Sequence, residues 1–350
     1  MNLDQSIEKL NKKSKVAVLG ATGVVGQVFI SMLADHPWFD LVHIAASASK
    51  AGKGYKDEVH WVLPTQMPQS IEQKKLGLID SAKLRDEGIK IVFSALPASE
   101  AKTIEPELRS QGFYLFSNAS AMRYEEDVPI LIPEINPDQL DLINKQGFPE
   151  KGFIVTNANC STTGLAVALS PLRKFVIEEV VVSTYQSISG AGYPGLASLD
   201  IMGNTLPHIP NEEDKMGVEL KKILQIEANV FPFCIRIPVL FGHMETVWIT
   251  FKGNVEKEEI LEAWSNFKFG GKGLPNMADH PVEYLNREDL PQPKMSFWGS
   301  PSGMQVFTGR LKKEKNRIGF TLLVNNLVKG GAGGSVENAE FFVSECGDKL

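Results

Sequence analysis

The sequence predicts an α/β protein in two parts: a parallel sheet built from βαβ units, then a second α+β domain with a mixed sheet. Three observations carry this. The chain has 350 residues, long for one domain and comfortable for two. Its first third alternates short apolar runs with amphipathic stretches, the pattern of parallel strands covered on both faces. After about residue 157 the strands lengthen and alternate more, separated by long helices, which suits a mixed or antiparallel sheet with helices on one face.

Taken in order, residues 15–19 (KVAVL) read as a buried strand and 24–33 as a helix. Residues 41–46 (LVHIAA) and 91–95 (IVFSA) are further strands, 99–110 a helix and 113–116 (FYLF) another strand. A short strand at 153–156 precedes an apolar-periodic stretch at 164–172. Beyond it come strands at 179–186 (EVVVSTYQ), 247–251 (VWITF) and 317–324 (RIGFTLLV), and helices at 213–226 and 255–267. Residues 330–346 are Gly-rich and then helical, and a terminal helix of this kind often packs back on the first domain.

Composition excludes several classes. With 43% hydrophobic and 22% charged residues the balance is that of a soluble globular protein. The longest apolar runs, such as 91–96 between Lys90 and Pro97, fall well short of a membrane span. The first fifteen residues are mostly polar and read as no export signal. Three cysteines (Cys160, Cys234, Cys346) cannot close a disulfide framework and point to a reducing, cytoplasmic setting. A net charge of −6 argues against a broad nucleic-acid footprint, while a small anionic substrate needs only a few local cations. No nucleic acid, membrane or metal is expected as a partner.

The first chemical signal is Gly20-Ala-Thr22-Gly23-Val24-Val25-Gly26, after the first strand and at the start of the first helix. A dinucleotide-binding Rossmann-type turn needs glycines there: one for the tight turn, one for backbone approach to a pyrophosphate, one for helix–strand packing. The helix N-terminus adds free N–H groups and a positive partial charge. NAD sites usually end the second strand with an acid for the ribose 2′-hydroxyl. Here the segment carries Ser47, Ser49, Lys50 and Lys53 and no acid, so a 2′-phosphate, and hence NADP, is the better fit.

The second signal is Asn157-Ala-Asn159-Cys160-Ser161-Thr162-Thr163. A cysteine before a helix sits where the dipole favours the thiolate, and the neighbouring backbone N–H groups are candidates to hold an oxyanion. Cys234, in FPFCIRIPV, reads as a packed core thiol. A cysteine nucleophile wants a base. Of six histidines, His243 lies in a Gly turn between two strands, only slightly ahead of the others on the residues alone.

At this point the chain resembles the aspartate-β-semialdehyde dehydrogenases, in the branch found in archaea and fungi. The resemblance rests on GATGVVG, ASASKAGK, SNASAMR, IPEIN, TNANCSTT, QSISGAGYPG, IPNEEDK, RIPVLFGHMET and NNLVKGGAGGSVENAE in that order. It implies a glyceraldehyde-phosphate-dehydrogenase-like fold, with residues 1–157 and 331–350 as an NADP-binding Rossmann domain and 158–330 as a catalytic and oligomerisation domain. It implies Cys160 as nucleophile, His243 as acid/base and Gln186 as an orienting residue. Arg236 would bind the substrate α-carboxylate through a bidentate contact, Glu212 would meet its ammonium, and Arg123 and Lys215 would hold phosphate. Asn136 would stand near the phosphate, and Asn325, Ser189 and Gly190 near the cofactor.

Each role has a plainer rival: a surface charge for Arg123, a helix-start ion pair for Glu212 and Lys215, a structural carboxylate for Arg236, a backbone cap for Gln186. The family often carries Asp where Phe241 stands, which would leave His243 to be oriented by another group such as Glu245. It commonly has Asp at the place of Asn325 and often an aromatic at the place of His208. The implied reaction is NADPH-dependent reduction of β-aspartyl phosphate through a Cys160 thioester, in lysine, threonine and methionine biosynthesis, by a homodimer or homotetramer. Two rivals stand beside it: an acyl-CoA reductase of the malonyl-CoA reductase kind, and a non-catalytic NADP-binding regulatory protein. The set of Cys160, His243 and Arg236 speaks against the second.

Overall fold

The computed structural model describes residues 13–269 and 273–347. The first twelve residues, most of the stretch read above as lacking an export signal, lie outside them, as do residues 270–272 and 348–350. The chain runs β1 (Ser14–Leu19), α1 (Val24–Leu33), β2 (Phe39–Ala45), β3 (Ile91–Ser94), α2 (Ala98–Ser110), β4 (Tyr114–Ser117) and β5 (Phe153–Thr156), with shorter helical turns between. These five strands form one sheet in the order β2-β1-β3-β4-β5, parallel throughout. β1, β3, β4 and β5 are continuous apolar runs because both faces are covered.

The second part follows: α3 (Cys160–Leu169), β6 (Ile177–Gln186), α4 (Glu212–Leu224), β7 (Asn229–Arg236), β8 (His243–Phe251), α5 (Lys257–Asn266), β9 (Val282–Leu285), β10 (Val306–Glu314), β11 (Arg317–Val324) and α6 (Gly333–Cys346). Its six-stranded sheet has the order β7-β6-β8-β11-β10-β9, with two parallel pairs, β6/β7 and β9/β10, and antiparallel pairing elsewhere. One face is buried with α3, α4 and α5 in a single core, which holds Leu165, Leu220, Trp264, Val247 and Val324. The other face is only half-covered along β6, β7 and β8.

Two departures from the sequence reading have simple causes. β7 escaped it because Pro232 lies inside; the strand is at the sheet edge, where a missing N–H costs no ladder bond. α3 starts at Cys160 rather than 164, because Asn159 caps it and the polar Ser-Thr-Thr first turn hides the periodicity.

Both chemical signals fall at the C-terminal edge of the first sheet, where ligands of open α/β sheets bind: the glycine turn after β1 and the cysteine loop after β5. α3 then leaves that edge and is buried in the second core. After β11 a wide turn at Val328–Ala332 lies against Cys160, and α6 returns to the first sheet. There Phe342 packs on Phe153 (4.9 Å between rings), Tyr114 (5.5 Å) and Phe116 (6.0 Å). No helix among the described residues is long and apolar enough to cross a membrane.

Candidate active site

The glycines divide the labour that the turn needs. Gly20 has φ +72, and a Cβ there would lie 2.6 Å from the Ala95 carbonyl oxygen. A Cβ on Gly26 would strike the Gly20 carbonyl, so this glycine lets α1 close on β1. Gly23 caps α1 with no side-chain cap and is exposed, leaving the first N–H groups of a ten-residue helix open to an anion. Val24 is buried under the turn and Val25 is half-buried. Two residues outside the motif hold it: Tyr55 donates its hydroxyl to Ala21 O at 3.0 Å, and Gln27 Nε2 donates to Thr22 O at 3.3 Å.

Beyond β2, Ser47 and Ser49 share a hydroxyl contact of 3.1 Å at the surface. Lys50 Nζ reaches back to Thr22 Oγ1 at 3.4 Å and to Glu58 O at 3.3 Å, so its charge stands beside the glycine turn. Lys53 turns away, pairing with Glu58 at 2.9 Å. The hydroxyls and Lys50 thus suit an added phosphate, and Lys53 contributes to it less directly than the sequence suggests.

Asn159 organises the cysteine loop. Its Oδ1 accepts from Ser161 N (3.0 Å) and Thr162 N (3.4 Å), and its Nδ2 donates to Glu212 Oε2 (2.7 Å). These caps engage N–H groups expected above to hold an oxyanion. The Asn159 N–H donates to Glu219 Oε2 at 2.5 Å. The same buried Glu219 accepts from Arg123 Nη1 (3.1 Å) and Tyr124 Oη (3.3 Å). Cys160 is partly exposed, yet burial of its sulfur, with Glu212 adding, pushes its thiol up to about 12 against the pull of Arg236 and Arg123. Burial thus opposes the helix-lowered thiolate expected from sequence. Gly330 makes room for this loop, since a Cβ there would lie 2.9 Å from the Cys160 carbonyl oxygen.

His243 is the first residue of β8, after Gly242 at φ +86, and its Nε2 is 3.2 Å from Cys160 Sγ. Its Nδ1 accepts the Ser187 backbone N–H at 3.1 Å. Burial, then the Arg236 charge, hold the imidazole down to about 3. Glu245 does not orient it. That carboxyl, two residues along the same face of β8, is fully buried, makes no hydrogen bond among the described residues, and is pushed well up by burial. Phe241 packs edge-on against Phe297, with ring centroids 5.4 Å apart. Gln186 donates Nε2 to Ser161 Oγ at 2.6 Å, tying the end of β6 to the start of α3.

Arg236 is 6% exposed and donates Nη1 to the Ser187 carbonyl at 2.7 Å. No carboxylate pairs with it among the described residues, so the structural-carboxylate rival fails. Gly190 leaves the space between Arg236 and His243: a Cβ there would lie 2.8 Å from Arg236 Nη1 and 3.1 Å from His243 Cε1. Ser189 Oγ accepts from Asn326 Nδ2 at 3.0 Å beside the same histidine. Arg123 is buried, not a surface charge, with Nη2 on Asn118 O at 3.0 Å and Nε unpartnered. Glu212 and Lys215 do form the helix-start ion pair, at 3.5 Å.

Two predicted residues have other work. Asn136 accepts from Ile132 N and donates to Ile130 O, both at 2.9 Å, closing its own loop rather than facing a phosphate. Asn325 accepts from Leu327 N and Val328 N and donates to Ser296 O. It is Asn326 that reaches the histidine cluster, accepting from Gly242 N at 2.9 Å and from the Ser187 hydroxyl at 3.1 Å.

A dinucleotide-type turn and a Cys–His pair beside a buried, unpaired arginine define a thiol-dependent, nucleotide-linked dehydrogenase. The description "Semialdehyde dehydrogenase, NAD binding domain" matches residues 15–143, and "Semialdehyde dehydrogenase, dimerisation domain" matches 169–329. The aspartate-semialdehyde dehydrogenase of Archaeoglobus fulgidus is 41% identical over 342 residues, covering 94% of this chain and 98% of that protein. The malonyl CoA reductase (NADP) of Metallosphaera sedula is 36% identical over 354 residues, covering 96% of this chain and 98% of that one. The crystal structure of the Candida albicans aspartate semialdehyde dehydrogenase with NADP superposes with a TM-score of 0.86 at 30% identity, over 97% of this chain and all (100%) of that one. The chain belongs to the semialdehyde dehydrogenase family.

Proposed function

We propose that this protein is an NADP-dependent aspartate-semialdehyde dehydrogenase, reducing β-aspartyl phosphate to the semialdehyde. The observation that carries the reading is Cys160 Sγ 3.2 Å from His243 Nε2 beside Arg236, a buried cation with no carboxylate partner among the described residues. A buried charge is normally paired; here an anionic substrate is the missing partner.

Cys160 attacks the acyl carbon and carries it as a thioester. Arg236 takes the α-carboxylate with its planar fork. Glu212, half-held by Asn159, meets the ammonium. Lys215 and Arg123 supply positive charge for the phosphate, Arg123 already partly neutralised by Glu219. Gln186 keeps the first turn of α3 in register, and His243 faces the oxygen that gains charge at the reacting carbon. The open start of α1, Ser47, Ser49 and Lys50 fit the phosphates of NADP, which when bound supplies the hydride. The division into residues 1–157 with 331–350 for the cofactor and 158–330 for substrate accords with the two sheets. A free thiol nucleophile suits the cytoplasm, and two or more copies assemble through the half-covered face of the second sheet.

The test is phosphate-dependent NADPH formation from aspartate semialdehyde, run beside a coenzyme A-dependent assay with malonate semialdehyde. Turnover only in the first supports the proposal, and turnover only in the second replaces it with acyl-CoA reduction. Cys160→Ser abolishes turnover while NADP still binds by fluorescence titration; a variant with near-normal turnover removes Cys160 as nucleophile.

A further inference from the structure

Four charged residues of α4 recur at helical spacing: Glu212, Lys215, Glu219 and Lys222. That spacing sets them on one face of the helix. The first two stand at the proposed substrate site. The other two reach across to the segment between β4 and β5, which belongs to the first domain and carries Arg123. Glu219 accepts from Arg123 Nη1 at 3.1 Å. Lys222 Nζ donates to three backbone carbonyls: Arg123 O and Val128 O at 2.8 Å, and Glu125 O at 3.1 Å.

An ammonium group has three N–H donors, and Lys222 spends all of them on the turn at 123–128. That turn does little to hold itself. Its own backbone bonds are long: Arg123 N to Ser120 O at 3.4 Å, Glu125 N to Met122 O and Val128 N to Glu125 O at 3.3 Å each. Asp127, near its far end, is tied to the first domain by Arg109 Nη1 at 3.3 Å and by Gln146 Nε2 on its carbonyl at 2.8 Å. The end that bears Arg123 is tied to α4. Desolvation holds the Lys222 ammonium below the usual lysine range, against the pull of Asp127, Glu219 and Glu125. Its partners are carbonyls rather than a carboxylate, so the charge is placed here at a cost.

Arg123 is 6% exposed, with Nη1 and Nη2 both engaged, so its guanidinium goes where its backbone is held. Arg123 and Lys215, the two cations read above as holding phosphate, come from different domains. We propose that Lys222 is a positioning residue for phosphate binding: by clamping the turn at 123–128 onto α4, it fixes Arg123 relative to Lys215, which stands about two turns earlier on the same helix. The inference rests on the reading of Arg123 as a phosphate ligand. Lys222 has no N–H left for a substrate and acts through Arg123 alone.

The test is the phosphate-dependent assay of the full-length protein, with phosphate and aspartate semialdehyde varied separately. Lys222→Met keeps the alkyl stem and removes the ammonium. It raises KM for phosphate roughly tenfold and leaves kcat and KM for aspartate semialdehyde within about threefold. A role in general stability would lower the active fraction and leave both KM values alone. Arg123→Gln also raises KM for phosphate. Adding Lys222→Met to it changes that KM by less than about twofold, because the clamp then has no guanidinium to present. Where the methionine variant fails to fold, Lys222→Ala, which admits water to the three carbonyls, replaces it with the same expectation. If Arg123→Gln raises KM for phosphate and neither Lys222 variant does, the clamp is overturned. It is equally overturned if the two effects multiply in the double variant. An Arg123→Gln protein with unchanged KM for phosphate instead overturns the phosphate reading of Arg123, and the positioning role falls with it.

Discussion

Arg236 makes the sharpest case at the scale of single residues. Its sequence context, RIPVLFGH, marks a cation near a histidine but cannot say whether a carboxylate meets it. The fold answers by burying the guanidinium beside Cys160 and His243, where the Ser187 carbonyl is its hydrogen-bond partner and no carboxylate pairs with it among the described residues. Arg236→Lys keeps the charge and loses the two-pronged geometry. Losing one hydrogen bond to a charged group costs on the order of 1.5–3 kcal/mol, so KM for aspartate semialdehyde rises roughly ten- to a hundredfold with a smaller change in kcat. An unchanged KM in steady-state assays removes Arg236 from the substrate carboxylate. Cys160 was legible from its own short motif, and His243 only through the family resemblance. Glu219, Ser187 and Asn326 were not: Glu219 acts on Arg123 and Asn159 across 96 and 60 residues of chain, and no local pattern records such a contact. Asn136 and Asn325 mislead for the converse reason, since a buried Asn is as useful for closing a loop as for meeting a ligand.

Among the elements, the parallel strands were readable nearly to the residue, because burial on both faces leaves uninterrupted apolar runs. β9 and β10 were not: in β10 apolar residues give way to charged ones partway along, and β9 is four residues long. Nor does a sequence reveal how the turn at Val328–Ala332 is pinned against Cys160. Lys329 is buried there between Glu134 (2.5 Å) and Glu337 (2.6 Å), joining the loop before β5, the turn and α6. Burial and the neighbouring Glu134 push the Glu337 carboxyl up to about 8, despite the pull of Lys329. Its ordinary value is about 4.3, so between these values the folded protein holds a proton that the unfolded chain has released. Stability from this group is therefore complete below the lower value and falls as pH rises toward the upper one. Glu337→Gln cannot ionise and lacks that slope. Its Tm relative to the wild type rises by about 2 °C or more between about pH 5 and about pH 9; a constant difference in calorimetry at both ends means that Glu337 is ionised throughout.

At the scale of the whole molecule, the second sheet leaves one face for another protein surface. Strand register sets Phe231, Val181 and Trp248 in one row across β7, β6 and β8, then Phe233, Ser183 and Thr246, then Ile235, Tyr185 and Met244. Phe231 is 50% exposed, Phe233 61% and Val181 36%. Beneath Trp248, Gly319 on β11 leaves room for the indole, since a Cβ there would lie 2.8 Å from its ring. Aromatic and branched side chains in adjacent rows form a contiguous apolar patch, which a monomer rarely leaves in water. The region matched by the dimerisation-domain description, 169–329, contains all three strands. The Pro-containing edge strand that completes the patch was hidden from the sequence reading. If two copies pair through this face, a charge at its centre must be desolvated on association, a cost of several kcal/mol per ion against an interface of ordinary size. Phe233→Glu therefore shifts the protein to a folded monomer at micromolar concentration in sedimentation velocity, with its circular dichroism kept. A variant that sediments as the wild-type assembly moves the contact off this face.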